Sequence, residues 1–289
     1  MGKNFKTDLE ALPRQPYFVW FDDSAPLESY FCDVERDDMF NSSYRHVFCG
    51  PNEISGAWCP NCNKPLLKLL DLDTSDPRLE LGSGTPLRLP LLYCWTCNIC
   101  EIAKSAYFAG VGDMDIDWFV SPSYLDLTML VRLPANEKTH GLPFMYKLFE
   151  SGSVELIQYG KGGCTGMFPY GGDYPLSFPG VRASLYKISD EVAEAIYAEN
   201  RQDESMEYIF RDHNELSETR HQVGGEPLLI QKDIDLTMVC PSCGKLMPRF
   251  ASIGDDNLDP RGFVGDKWTQ VIYHFCKQCQ IVGCFNQAD

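Results

Sequence analysis

No apolar run in the sequence approaches the roughly 20 residues needed to span a bilayer, and the opening Met1-Gly2-Lys3-Asn4-Phe5-Lys6 has no signal-peptide hydrophobic segment. The cytoplasm is therefore the expected location. Basic residues are also scarce. Lys and Arg number 25 against 41 Asp and Glu, a formal charge of −16, which repels phosphate backbones and anionic lipid heads. Peripheral membrane attachment and sequence-independent nucleic-acid binding are disfavoured, and a charged partner, if there is one, should be basic. Histidine is limited to five positions, 46, 140, 213, 221 and 274, with no His-Glu-x-x-His pair and no nucleophile elbow. Gly160-Lys-Gly-Gly-Cys-Thr-Gly166 lacks the spacing of a phosphate-binding loop. Asp113, Asp115 and Asp117 alternate as on one strand face but lack the rest of a calcium loop, so a solvated turn is expected. No pair of carboxylates can be nominated for acid–base work, and no catalytic residue is assigned.

What remains is an ordinary globular composition, 44% hydrophobic and 12% aromatic over 289 residues, enough for about two domains. The cysteines carry most of the information. There are thirteen, an odd number, and several form Cys-x-x-Cys steps. Without a secretory context, that pattern points to metal rather than to a disulfide framework. Cys59-Pro-Asn-Cys62 precedes Cys94-Trp-Thr-Cys97 by 31 residues, and Cys240-Pro-Ser-Cys243 precedes Cys276-Lys-Gln-Cys279 by 32. Each short step suits a tight turn aiming two thiolates at one ion, and two turns complete a sulfur tetrahedron of the kind zinc favours. Two structural Zn2+ ions per chain are expected, held by Cys59, Cys62, Cys94 and Cys97 and by Cys240, Cys243, Cys276 and Cys279. Cys100 follows Cys97 at the same spacing and is a spare or substitute ligand. Fully protein-ligated zinc has no position for an activated water, so its binding energy serves folding. Cys32, Cys49 and Cys164 have no ligand-like neighbour and are expected to be free and buried.

The duplication extends beyond the thiols. Arg45-His46 precedes Cys49-Gly50-Pro51, and Arg220-His221 precedes Gly224-Gly225-Glu226-Pro227. Acidic loops then end at Asp76-Pro77 and Asp259-Pro260, and apolar stretches at 89–93 and 271–275 run into the second cysteine pair of each set. The expected fold is α+β and predominantly β: two pseudo-repeated β-rich units, each with a four-cysteine zinc site. The units are placed at 1–110 and 206–289, joined by a central α/β region over 111–205, the whole being compatible with one compact domain. In that central region Leu127–Leu133 and Leu156–Tyr159 read as strands. Ser189 should cap a helix running to about Arg201, with Val192, Ala195 and Ile196 on its buried face, covering a sheet. Tyr170–Pro179 reads as an ordered aromatic loop that packs locally. His46 and His221 hold matched positions, and hydrogen bonding to backbone near the following turns is their expected role.

The segments His221-Gln-Val-Gly-Gly-Glu-Pro227, Cys240-Pro-Ser-Cys243-Gly-Lys-Leu-Met247, Phe263-Val-Gly-Asp266 and Val271-Ile-Tyr-His-Phe275 resemble the YwqG-like family of uncharacterised proteins. More distantly, the plan resembles the programmed-cell-death-protein-two-like proteins, in which a Gly-Gly-x-Pro element precedes cysteine pairs. The resemblance is clearest over 207–289 and weaker over 45–107. It implies a β-rich fold with internal pseudo-repeats and a cytosolic client-binding role in handling a ribosomal protein. It supplies no catalytic residue. Together these features point to a zinc-stabilised protein-interaction module whose acidic surface attracts a basic client. The alternative is a hydrolase or other small-molecule enzyme with a site in the cleft between the halves.

Overall fold

The computed structural model describes residues 11–21, 43–58, 65–93, 144–158, 179–201, 221–230, 237–254 and 269–288, together with the strands Trp118–Val120 and Leu130–Arg132. In chain order the strands are β1 (Tyr17–Phe21), β2 (His46–Phe48), β3 (Leu67–Asp73), β4 (Arg88–Tyr93), β5 (Trp118–Val120), β6 (Leu130–Arg132), β7 (Phe144–Leu148), β8 (Val154–Gln158), β9 (Val181–Lys187), β10 (Gln222–Val223), β11 (Arg249–Gly254), β12 (Thr269–Cys276) and β13 (Ile281–Ala288). Among the described residues one α-helix, α1 (Asp190–Asn200), lies between β9 and β10, and a single 3-10 turn covers Pro77–Leu79. Strands β5 and β6 pair with each other, and the others form one sheet in the order β4-β3-β2-β9-β1-β10-β11-β12-β13-β7-β8. Predominantly β structure is therefore borne out. Strands from 1–110, 111–205 and 206–289 all share this sheet.

Every strand pair is antiparallel. The sheet curls until its two ends meet. Tyr146 on β7 donates its hydroxyl to Pro90 O of β4 at 2.6 Å and accepts Leu92 N–H at 3.0 Å, although β4 and β7 stand near opposite ends of the strand order. Near the other end, Val154 N of β8 donates to Ser55 O at 2.9 Å. Each edge strand is thus tied to another part of the chain by at least one hydrogen bond. The concave side holds the main core, including Phe21, Phe48, Leu70, Leu91, Tyr146, Tyr273 and Phe275. Tyr146 and Tyr273 are fully buried, and loss of hydration raises both phenols well above their ordinary range.

On the convex side α1 packs Val192, Ala195 and Ile196 against Phe18 and Ile188, the three residues expected from their spacing. Ser189 caps it, its Oγ accepting Val192 N–H at 3.3 Å, while Asp190 and Glu191 occupy the positive end. At the other end Asn200 accepts Leu229 N–H and donates to Pro227 O. Gln270 accepts Ile230 N–H and donates to Leu228 O. These two side chains supply the hydrogen bonds that the irregular 226–230 segment would otherwise lack. Among the described residues, no helix is long and apolar enough to cross a membrane.

The strand-like segments expected at 127–133 and 156–159 contain β6 and most of β8. Cys32, Cys164, Asp113, Asp115, Asp117, the 160–166 glycines and nearly all of the aromatic loop at 170–179 lie outside the described residues.

Candidate metal centre

Two tight turns build the centre. The first joins residues 238–247: Met247 N donates to Met238 O at 2.7 Å, and Val239 bridges Leu246. Within it Cys240 N donates to Lys245 O and Gly244 N to Cys240 O, each at 2.9 Å. Gly244 takes a φ of +70°, a left-handed conformation that favours glycine. The second turn links β12 to β13, where Cys279 N donates to Cys276 O at 3.2 Å and Gln280 turns the chain at a φ of +55°. The first turn is seated by Met238, whose Sδ occupies the place a Cβ on Gly283 of β13 would fill. Met145, Met247 and Ile281 complete the apolar bed beneath the sulfurs.

The sulfurs of Cys240, Cys243, Cys276 and Cys279 all lie within 4.8 Å of one another. Cys243 Sγ and Cys276 Sγ are 3.8 Å apart. A zinc–sulfur bond of about 2.3 Å gives a tetrahedron edge of about 3.8 Å, so this spacing suits one such ion. Cys240 and Cys276 are buried and Cys243 and Cys279 partly exposed, so each turn offers one inner and one outer thiol. The backbone N–H of Lys245 draws the Cys243 thiol down to about 7, with the neighbouring sulfurs adding to the effect. Burial first, then the adjacent sulfurs, pushes Cys276 up to about 12. Four thiols this close cannot all ionise unaided, and a divalent cation removes that penalty. The arrangement can hold a metal ion as a clamp between the first turn and the β12–β13 hairpin.

Cys59, Cys62, Cys94, Cys97 and Cys100 lie outside the described residues, so one four-cysteine centre is found among the described ones. Cys49 and Cys284 are buried and form no disulfide. This is the state expected of Cys49.

His46 is fully buried. Its Nδ1 accepts Asp73 N–H at 3.2 Å, so the proton sits on Nε2, which donates to Asp76 Oδ2 at 2.9 Å. His46 does bond backbone, but at Asp73 at the end of β3 rather than near the Cys49-Gly50 turn as expected, and sequence reasoning missed its carboxylate partner, which looked like the end of an acidic loop. Arg78 grips Asp76 through Nε and Nη2, reaches Leu185 O at 2.7 Å through Nη1, and lies between the Tyr17 and Tyr44 rings. Against the cost of burial, the hydrogen bonds from His46 and Arg78 hold Asp76 down at about 2. His221 instead packs against Phe48 and Phe21, with ring centroids 4.5 and 5.9 Å away. His274, two residues before Cys276, donates Nδ1–H to Met247 O at 3.0 Å and ties β12 to the first turn. No short-range motif marked it.

In comparisons with family models, curated proteins and solved structures, nothing matches this chain.

Proposed function

We propose that the protein is a zinc-stabilised protein-interaction module of two related units, each clamped by one structural Zn2+, whose acidic surface engages a basic client. The convergence of the Cys240, Cys243, Cys276 and Cys279 sulfurs carries this proposal. Zinc there would be fully ligated by protein, which favours a structural ion over a catalytic one.

Backbone geometry supports the second ion and the repeat. The segments flanking Cys59 and Cys62 match those flanking Cys240 and Cys243. Trp58 bridges Pro65 as Val239 bridges Leu246, and Leu66 N donates to Ala57 O as Met247 N donates to Met238 O. Phe48 opposes Leu70 as Val223 opposes Ala251. The β3–β4 register slips between Lys68 and Leu70, and the β11–β12 register slips between Arg249 and Ala251. Continuing β4 and β12 in these registers brings Cys94 and Cys276 to matching places in the sequence. The order of strands supports two units that exchange their leading strands: β1 lies beside β10 and β9 beside β2, with β1 and β9 paired at the junction. A relationship to YwqG-like and programmed-cell-death-protein-two-like proteins fits this plan, and with it a client-handling role.

Elemental analysis of the full-length protein tests the metal assignment. Two zinc ions per chain are expected, falling to one in Cys240→Ser with a lowered melting temperature. One ion in the wild type would remove the first site, and none would remove both.

A further inference from the structure

The four sulfurs of the metal centre are not equally reachable. Cys240 is fully buried, and Cys276 is 8% exposed at the last position of β12, where it pairs with Ile281 of β13. Cys243 and Cys279 are partly exposed, one in each turn. A reagent from solvent therefore meets the outer sulfurs first. The Cys243 and Cys276 sulfurs are 3.8 Å apart, a contact across the two turns rather than within one.

The turns also differ in what holds their tips. The hairpin tip is tied down: Gln280 Nε2 donates to Lys277 O at 2.7 Å, and Lys277 Nζ donates to Glu80 O at 3.1 Å. Around Cys243, Pro241, Ser242, Gly244 and Lys245 are all exposed, and a Cβ on Gly244 would meet nothing within 4 Å. Lys245 Nζ donates to Gln278 Oε1 at 3.2 Å, which keeps this turn over the hairpin. Cys243 thus has open space to move in, whereas Cys276 is fixed in the sheet. A rotation of the Cys243 side chain suffices to bring the two sulfurs to bonding distance.

We propose that Cys243 and Cys276 form an oxidative modification site, at which a hydroperoxide converts the ion clamp into a covalent one. This rests on the metal-centre reading and adds a reaction to it. With hydrogen peroxide, the Cys243 thiolate attacks one oxygen, the O–O bond breaks, hydroxide leaves and a sulfenic acid forms. The Cys276 thiolate then attacks the Cys243 sulfur, the disulfide forms and a second hydroxide leaves. The two thiolates lose two electrons and the peroxide gains them. Cys240 and Cys279 alone are too few to retain a metal ion against a chelator. The new bond joins the first turn to the β12–β13 hairpin across 33 positions of sequence, so the join between them outlasts the ion.

The test treats zinc-loaded full-length protein with hydrogen peroxide, blocks the remaining thiols with iodoacetamide and maps the disulfides by mass spectrometry, while a chromogenic chelator follows zinc release. Among the four cysteines of this centre, the Cys243–Cys276 link should form first, in step with zinc release, and dithiothreitol with added zinc should reverse it. Cys243→His keeps a zinc ligand and removes the outer thiol, so oxidation of Cys276 should slow about ten-fold. If that variant does not hold zinc, the wild-type map carries the test. The oxidised wild type should also melt about 5 °C or more above reduced protein stripped of zinc. A first link within one turn, Cys276 oxidised at the wild-type rate in Cys243→His, or zinc-loaded thiols that stay reduced would overturn the modification site and leave the metal centre standing. Zinc content unchanged by Cys240→Ser would overturn the metal centre itself.

Discussion

The strand triplets β2–β3–β4 and β10–β11–β12 pair in matching registers with different side chains around them. In both, a buried histidine stands at the start, the next chain reversal has two successive left-handed residues, and a register slip falls at the same step of the following pair. The left-handed residues are Cys49 and Gly50 in one triplet and Gly224 and Gly225 in the other. The histidines part company: His46 is bonded to a carboxylate, and His221 is packed against two phenylalanines. The comparison teaches that hydrogen-bond register and turn conformation are the constrained quantities here. Interior polar contacts are local solutions to burial.

The sharpest break in the comparison should come at the turns. Gly50 and Gly225 have φ values of +90° and +60°, so an alanine at either is strained by about 1–2 kcal/mol. Their surroundings differ. A Cβ at Gly225 would stand 2.5 Å from Pro16 Cβ, whereas the nearest atom to a Cβ at Gly50 is Gly180 Cα at 3.4 Å. The segment crossing one turn carries a proline where the segment crossing the other carries a glycine. Gly225→Ala should cost about 3 kcal/mol or more and Gly50→Ala about 1–2 kcal/mol, read from urea midpoints of the zinc-loaded proteins. Equal losses would mean that the two turns are crowded alike.

Much of this was legible in the sequence because it depends on short-range chemistry. Cysteine spacing named the four sulfurs that converge, Ser189 and the spacing of Val192, Ala195 and Ile196 gave the helix, and matched His and Gly positions pointed to matched turns. The sheet order was not legible. Nothing local in Tyr17–Phe21 says that it pairs with β9 and β10, far along the chain, because antiparallel partners are chosen by burial and register across the whole fold. The same holds for Asp76, whose burial depends on His46 and on an arginine two residues away folding back over it. Nor does anything near Gly283 in the sequence announce that Met238 fills the place of its missing side chain.

Acid should break one triplet before the other. Asp76 has a pKa near 2 in the folded chain against an ordinary 3.8. A depressed carboxylate contributes stability above its unfolded pKa and loses it as pH falls through the folded value. The window therefore runs from about pH 4 down to about pH 2, and the contribution is about 2 kcal/mol. The gap in unfolding free energy between wild type and Asp76→Asn should be widest near neutral pH and narrow across that window. Taking the difference cancels the thiols, which protonate in both proteins. A gap that stays constant with pH would show that the His46–Asp76–Arg78 contacts do not favour the ionised carboxylate.

The smallest effect is expected where the triplets can be made alike. His274 opposes Arg249 in β11 just as Leu92 opposes Lys68 in β3. His274 is fully buried and bonds Met247 O through Nδ1, but its Nε2 has no hydrogen-bond partner among the described residues. His274→Leu removes a hydrogen bond of about 1 kcal/mol and leaves the Met247 carbonyl short of a donor. It also removes a buried nitrogen that meets no donor and adds apolar surface to the core, terms of similar size and opposite sign. The net change in unfolding free energy should stay within about 1 kcal/mol, with zinc retained. Zinc lost at full folding would give His274 a task that Leu92 does not share, that of holding the first turn against the sulfurs of β12.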